Sequence, residues 1–153
     1  MENLNRYHLV QVIHEIVEKG TPFLGICLGL QILFERSEES PGVEGLGLLK
    51  GEILRIPDKE GLKIPHMGWN SIHLQNGGRL FKGIPQESYV YFVHSYYLKA
   101  EEEEIIKATT EYSTHIHASV EKGNLFACQF HPEKSSDLGL AILKNFAEIG
   151  EED

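Results

Sequence analysis

The segment Gly25-Ile26-Cys27-Leu28-Gly29 has the layout of a nucleophile elbow, in which a strand, a sharp turn and a helix follow one another. Glycines on both sides of the cysteine would let the chain turn tightly and lift the thiol above a sheet. The N-terminus of the helix would favour the thiolate. The backbone N–H of Leu28 would point to where an oxyanion forms. A small buried cysteine between two loop glycines is the alternative interpretation.

A second segment that could do chemistry is Gln129-Phe130-His131-Pro132-Glu133. His131 ends a strand-like run that Pro132 stops, and the His-x-Glu spacing places an imidazole and a carboxylate near each other past a sheet edge. A cysteine nucleophile needs such a base, and the carboxylate would orient it and stabilise its charged form. A histidine and a glutamate in a surface loop are the alternative. The other cysteine, Cys128, lies among apolar residues and is expected to fill the core.

Hydrophobic periodicity predicts the elements that would position these segments. Helices are expected over 2–19, 28–35 and 138–149, and a buried strand over 22–26. Further strands are expected over 51–56, 63–74, 89–98, 105–112, 115–121 and 125–130. The order helix, strand, helix, many strands, helix predicts an α/β domain with a mixed sheet.

Composition excludes several classes of protein. The 153 residues suit a single domain, and 14 basic against 23 acidic residues give a net charge of −9, the opposite of a nucleic-acid binder. Two cysteines cannot form a disulfide framework, so reduced thiols and a cytoplasmic location are expected. There is no signal peptide, and the apolar run 23–34 is too short to span a bilayer. His115 and His117 have no nearby third ligand for a metal.

Together these segments resemble the class I, or triad, glutamine amidotransferase family, in which a Gln follows the nucleophile motif as Gln31 does here. The segments Pro65-His66-Met67-Gly68-Trp69-Asn70 and Tyr91-Phe92-Val93-His94-Ser95-Tyr96-Tyr97 look like those of the glutaminase subunits of imidazole glycerol phosphate synthases. The resemblance runs from about residue 9 to residue 149. It implies a flavodoxin-like mixed sheet with helices on both faces.

The resemblance also implies an activity, the hydrolysis of glutamine to glutamate and ammonia through a cysteine thioester. Cys27 would attack the amide carbon, His131 would move the protons, and Glu133 would hold His131. The glutamine amino and carboxylate groups would be held by Gln31 and by the backbone of His94, Ser95 and Tyr96. The ammonia would pass to a (β/α)8-barrel cyclase that makes imidazole glycerol phosphate and AICAR in histidine biosynthesis. Neither a metal nor an organic cofactor is implied.

The same resemblance places Trp69 and Lys134 against the cyclase. Trp69 is the only tryptophan of the chain, and tryptophan is enriched at binding hot spots, which agrees with an interface. Packing of this side chain in the core is the alternative.

The sequence departs from the family pattern at its N-terminus. The family begins with a strand, a helix, a second strand and a glycine-rich loop that supplies another oxyanion donor, whereas this chain begins in the helix that should follow. We therefore expect residues 1–153 to form one amidotransferase domain that lacks the first β-α-β unit, roughly fifty residues. Reduced activity is an expected consequence, together with either self-association of the chain or a disordered N-terminal helix. A rival interpretation is an inactive module that only binds the cyclase, and another is a glutaminase that serves a different synthase.

Overall fold

A computed structural model describes residues 9–152 of the chain. The helices are α1 (Leu9–Glu18), the short α2 (Leu28–Gln31) and α3 (Ser136–Glu152). The strands are β1 (Phe23–Ile26), β2 (Arg36–Ser37), β3 (Gly51–Arg55), β4 (His66–Leu74), β5 (Ser88–His94), β6 (Tyr96–Ala100), β7 (Ile106–Tyr112), β8 (Thr114–Lys122) and β9 (Leu125–Cys128). Residues 2–8 of the first predicted helix lie outside the described residues.

The strands form two sheets. Six of them pair in the order β1-β9-β8-β7-β4-β5, and β2, β3 and β6 form a smaller sheet in which β3 is central. In the large sheet β1 is parallel to β9, and the remaining pairs are antiparallel. The sheet is therefore mixed, as predicted. Among the described residues, β1 has one strand neighbour, β9.

Side-chain alternation along β9 builds a hydrophobic core on each face of the large sheet. Phe126 and Cys128 belong to one core, which α3 covers with Ile142 and Ile149. Leu125 and Ala127 belong to the other core, which α1 and the small sheet cover. Because successive strand residues point to opposite faces, one short strand supports both layers. The predicted α/β architecture with helices on both faces is confirmed.

Two predicted elements differ from the structure. The predicted strand 89–98 is two strands, because the chain bends at Ser95 from the large sheet into the small one, where the Ser95 carbonyl accepts from Ile56 N–H at 2.9 Å. The predicted helix 28–35 ends at Gln31. Beyond it, the backbone N–H of Glu35 donates to the Gly51 carbonyl at 3.4 Å, so the chain leaves the helix to meet the small sheet.

Candidate active site

Cys27 lies at the tip of a sharp turn between β1 and α2. Its backbone has φ 54° and ψ −102°, a conformation that non-glycine residues rarely adopt. A Cβ at position 25 would lie 2.6 Å from the carbonyl oxygen of Gly29, so the turn can close only with glycine there. A Cβ on Gly29 would meet open space. Close packing at this turn therefore requires glycine at position 25 and does not require it at position 29.

The environment of the Cys27 thiol differs from the prediction. Burial raises its pKa above the usual value for cysteine, while the Leu28 N–H and the Gln129 side chain lower it by smaller amounts. The N–H at the start of α2 favours the thiolate as predicted, but burial of the sulfur outweighs it, so the net pKa shift is opposite to the expected one. Cys27 is therefore a thiol at neutral pH and needs a base to become a nucleophile.

His131 and Glu133 form a hydrogen-bonded pair just beyond the end of β9. A 3-10 turn over Pro132–Lys134 brings Glu133 Oε1 to 2.6 Å from His131 Nδ1, and the carboxylate can only accept, so Nδ1 carries the proton. The other ring nitrogen, Nε2, is buried and has no hydrogen-bond partner among the described residues. An imidazole held in this way offers an unprotonated Nε2 as a base.

Cys27 and the His131–Glu133 pair lie at the same edge of the large sheet. Strand β1 runs parallel to β9 with Ile26 beside Cys128, and Cys27 N–H donates to the Cys128 carbonyl at 2.7 Å. The Glu133 carboxylate acts on the pKa of Cys27 across this edge and raises it. Within the described residues, Cys27 Sγ contacts the Val93 carbonyl at 3.7 Å and forms no hydrogen bond with His131.

The residues expected to hold glutamine meet at the bend between β5 and β6. Gln31 Nε2 donates to the Tyr96 carbonyl and to Gln129 Oε1, each at 3.2 Å. His94 Nδ1 donates to the same Tyr96 carbonyl at 2.8 Å. Ser95 forms the bend itself and uses its carbonyl in the contact to Ile56. Gln31 Oε1 bonds none of the described residues, so it can accept from an ammonium group.

Three supporting residues were not predicted from the sequence. Gln129 is fully buried and its Nε2 donates to Cys27 Sγ at 3.5 Å. Ser135 Oγ accepts from Tyr91 N–H at 3.0 Å and donates to the His131 carbonyl at 2.6 Å. A Cβ on Gly139 would lie 1.8 Å from the Pro132 carbonyl oxygen, so glycine lets α3 approach the turn that carries His131. Their nearness to the His-x-Glu motif was the only available signal.

Comparison with known proteins decides the family. The family model described as "Glutamine amidotransferase class-I" matches residues 3–149, nearly the whole chain. The chain belongs to the class-I glutamine amidotransferase family.

Several curated relatives of this amidotransferase are named as HisH subunits. "Imidazole glycerol phosphate synthase subunit HisH" of Moorella thermoacetica is 54% identical over 149 residues, which are 97% of this chain and 70% of that protein. The protein of the same name from Methanocaldococcus jannaschii is 50% identical and is covered to 74%. The Aquifex aeolicus protein of that name is 46% identical and is covered to 72%.

Solved structures support the amidotransferase fold. One glutamine amidotransferase structure superposes with a TM-score of 0.70 at 19% identity over 97% of this chain and 71% of that one. A glutamine amidotransferase from Thermotoga maritima superposes with a TM-score of 0.62 at 22% identity over 96% of this chain and 56% of that one. At such identities the likeness concerns the fold.

A cavity of about 520 Å³ opens beside the elbow of this amidotransferase. Leu28 and Gln31 line it on one side, and residues of the segment 34–45 line the other. A space of this size is ample for an amino acid. Its lining includes Gln31 but neither Cys27 nor His131, so the cavity borders the nucleophile without enclosing it. In the described part of the chain, no group of three or more His, Cys, Asp and Glu side chains is placed to hold a metal ion.

One face of the β4–β5 hairpin of this amidotransferase exposes large apolar side chains. Met67, Trp69 and Tyr89 are 63%, 53% and 62% exposed, so the interpretation of Trp69 as a core residue is wrong. The Trp69 ring packs edge-on against Tyr91 with centroids 5.9 Å apart. The backbone N–H of Tyr91 in turn donates a hydrogen bond to Ser135, next to the exposed Lys134, which places Lys134 at the border of this hairpin face.

None of the described helices is long and apolar enough to cross a membrane.

Proposed function

We propose that this protein hydrolyses glutamine to glutamate and ammonia with Cys27 as nucleophile, His131 as base and Glu133 as its orienting partner. The observation that carries the proposal is the strained elbow cysteine at the same sheet edge as a Glu133-bonded imidazole whose buried Nε2 has no partner among the described residues. The relatives named as HisH subunits, about half identical over nearly the whole chain, support it.

The reaction begins with a proton transfer. The raised pKa of Cys27 keeps the sulfur protonated, so its proton moves to His131 Nε2 as the sulfur attacks the amide carbon of glutamine. The Leu28 N–H is directed toward the sulfur, and it stabilises the oxyanion of the tetrahedral intermediate. His131 returns the proton to the leaving nitrogen, the C–N bond breaks, and ammonia and a thioester remain.

The second half of the reaction repeats these roles with water. His131 Nε2 takes a proton from the water as its oxygen attacks the thioester carbon, and the proton then returns to the Cys27 sulfur as the C–S bond breaks. Glutamate leaves. Glu133 stabilises the imidazolium that forms in each half, since its carboxylate lies 2.6 Å from Nδ1.

Glutamine binds beside α2, between Gln31 and the bend that joins β5 to β6. Gln31 Oε1 accepts from the substrate ammonium, because the Gln31 amide nitrogen is already used by Tyr96 and Gln129. The backbone of His94, Ser95 and Tyr96 holds the carboxylate. The fixed orientation of the Gln31 amide supports this assignment.

The ammonia serves a (β/α)8-barrel cyclase that forms imidazole glycerol phosphate and AICAR in histidine biosynthesis. The exposed hairpin face with Met67, Trp69 and Tyr89, bordered by Lys134, is the proposed contact surface. A large exposed apolar patch with a cation at its border is typical of a protein interface. Both cysteines are free thiols, and a reactive thiol of this kind suits the reducing cytoplasm.

An ammonia-release assay tests the proposal, with glutamine as substrate and with or without a barrel cyclase loaded with its nucleotide substrate. We expect release that the cyclase increases, and loss of release in Cys27→Ser and in His131→Asn. Cys128→Ser is the matched control, since Cys128 is the buried cysteine of β9, and it should retain activity. Cyclase binding without any ammonia release would favour the binding-module interpretation instead.

A further inference from the structure

Two histidines on neighbouring strands form a buried pair that the proposed reaction does not use. His66 Nδ1 on β4 lies 3.0 Å from His94 Nε2 on β5, and the two side chains belong to residues that are 3% and 6% exposed. The His66 ring is stacked between Phe92 and Tyr112, with ring centroids 4.8 and 3.9 Å away. The chemistry assigned to His94 above concerns only its backbone, and His66 has no assigned role.

The hydrogen bonds of this pair have a single consistent direction. The Tyr96 carbonyl can only accept, so His94 Nδ1 carries a proton. In a neutral ring His94 Nε2 then accepts, and His66 Nδ1 must be the donor across the 3.0 Å contact. His66 Nε2 is left as an acceptor, and Asn70 Nδ2 faces it at 3.4 Å.

The Asn70 amide confirms this direction independently. Its Oδ1 accepts from Ser71 N–H at 2.8 Å, and its Nδ2 donates to the Glu111 carbonyl at 2.9 Å. The amide therefore cannot be reversed without losing both bonds, so it presents an N–H to His66. Burial lowers the pKa of His66 and of His94 to about 4, in agreement with two neutral rings at physiological pH.

This series of hydrogen bonds, which runs through His66 and His94, ends at the residues proposed to bind glutamine. His94 and Gln31 donate to the same Tyr96 carbonyl, at 2.8 and 3.2 Å. Gln31 also donates to Gln129, whose amide donates to the Cys27 sulfur. Rotation of the His94 ring would remove one of the two side-chain donors to the Tyr96 carbonyl, the other being Gln31.

We propose that His66 is a positioning residue of the glutamine site, which locks the neutral Nδ1–H tautomer of His94 so that the Tyr96 carbonyl holds Gln31 in place. The role rests on the proposed function, because it acts through the side chain that receives the substrate ammonium. His66 touches neither substrate nor nucleophile.

A pair of amide substitutions tests this role. The side-chain nitrogen of asparagine can occupy the position of His66 Nδ1 and keep the donor, whereas the longer glutamine side chain displaces it. We expect His66→Gln to raise the KM for glutamine roughly tenfold, the effect of losing one positioned hydrogen bond. Its kcat should change much less, and His66→Asn should restore the KM to near that of the unsubstituted protein. His73→Gln, at an exposed histidine of the same strand, is the matched control and should change neither constant.

A spectroscopic measurement needs no substitution. Long-range ¹H–¹⁵N correlation spectra of the ring nitrogens at neutral pH should show both His66 and His94 neutral and protonated on Nδ1. A proton on Nε2 of either ring would overturn the proposal even if His66→Gln did not fold.

The outcomes separate the two proposals. Ammonia release by the unsubstituted protein with equal KM values in His66→Gln and His66→Asn would overturn the positioning role alone. Absence of ammonia release from the unsubstituted protein, with the cyclase present, would overturn the proposed function and this role with it.

Discussion

Gln129 Nε2 donates a hydrogen bond to Cys27 Sγ across 3.5 Å, although 102 positions separate the two residues in the chain. Gln129 is fully buried, and its Oε1 is at the same time fixed by Gln31. A buried amide that is anchored on one side can offer a directed donor on the other. This contact is one of the few that lower the pKa of a thiol otherwise raised by burial.

Replacing Gln129 by leucine should make Cys27 less reactive. Loss of the donor raises the Cys27 pKa further, and a bond to a charged group is worth about one pKa unit, so alkylation near pH 8 should slow roughly tenfold. Iodoacetamide labelling followed by peptide mass spectrometry measures the rate. Cys128 is fully buried with a pKa raised to about 12, so it should react only after unfolding. Gln11→Leu on the exposed side of α1 is the control, and equal rates in both variants would contradict the role of Gln129.

Alanine at position 139 should destabilise the fold, because its Cβ would collide with the Pro132 carbonyl at 1.8 Å. Either α3 or the His131 turn must move, which costs about 1–3 kcal/mol of unfolding free energy. Gly150 lies in the same helix with nothing within 4 Å of its Cβ position, so Gly150→Ala should stabilise by up to about 1 kcal/mol. Urea unfolding of the two variants compares them. If both substitutions changed the unfolding free energy in the same direction, the contact between α3 and the His131 turn would not be rigid.

Stability should fall as the pH is lowered from about 6.5 toward 4. The pKa of His66 and of His94 is lowered to about 4 in the folded chain, mainly by burial, from 6.5 in the unfolded chain. In this window the unfolded chain binds protons that the folded chain does not, so unfolding free energy drops by about 1.4 kcal/mol per pH unit for each histidine. Above pH 6.5 neither state binds them, and this contribution is constant. The titratable groups near the pair are His131, which faces His94, and Tyr112, which covers His66.

Urea unfolding at several pH values measures this slope. His66→Asn should lose about half of the contribution of the pair, whereas His73→Asn at an exposed site should leave the slope unchanged. Identical slopes in the unsubstituted protein and in His66→Asn would mean that His66 binds its proton over the same pH range in the folded and the unfolded chain.

Trp69→Ala should weaken binding to the barrel cyclase by at least about 30-fold, since an exposed tryptophan at the centre of an apolar patch is a typical hot spot. Val12→Ala, at a 45% exposed side chain of α1, should leave the affinity unchanged. Titration calorimetry with the purified cyclase provides both values. Equal affinities would place the interface elsewhere.

The sequence predicted the elbow at Cys27 and the His131–Glu133 contact because both are local: residues two apart at a turn meet whatever the rest of the fold does. Most strands could also be placed, since half-buried strands alternate visibly. The division of the predicted strand 89–98 at Ser95 could not, because it depends on which sheet each half joins. For the same reason the length of α2 was overestimated, as tertiary contacts of Glu35 replace helical bonds.

The pKa of Cys27 was predicted in the wrong direction for a related reason. The helix N-terminus is visible in sequence, whereas the sulfur is contacted by Val93 of β5 and by Gln129 just beyond β9, both far along the chain. Gln129, Ser135 and Gly139 act through positions that only the assembled sheet defines. Long-range packing therefore sets the pKa of Cys27 and the contacts of these three residues, which motif spacing alone does not determine.

Two contacts of the site are made by backbone oxygens, those of Val93 toward Cys27 and of Tyr96 toward Gln31. A carbonyl is the same whichever side chain the residue carries, so these contacts do not by themselves restrict the side chain at either position. A comparison of side chains alone would therefore not show that the oxygens of Val93 and Tyr96 contact the site. Many side chains should be tolerated at positions 93 and 96, whereas proline at position 94 or 97 should not be, since proline restrains the preceding residue.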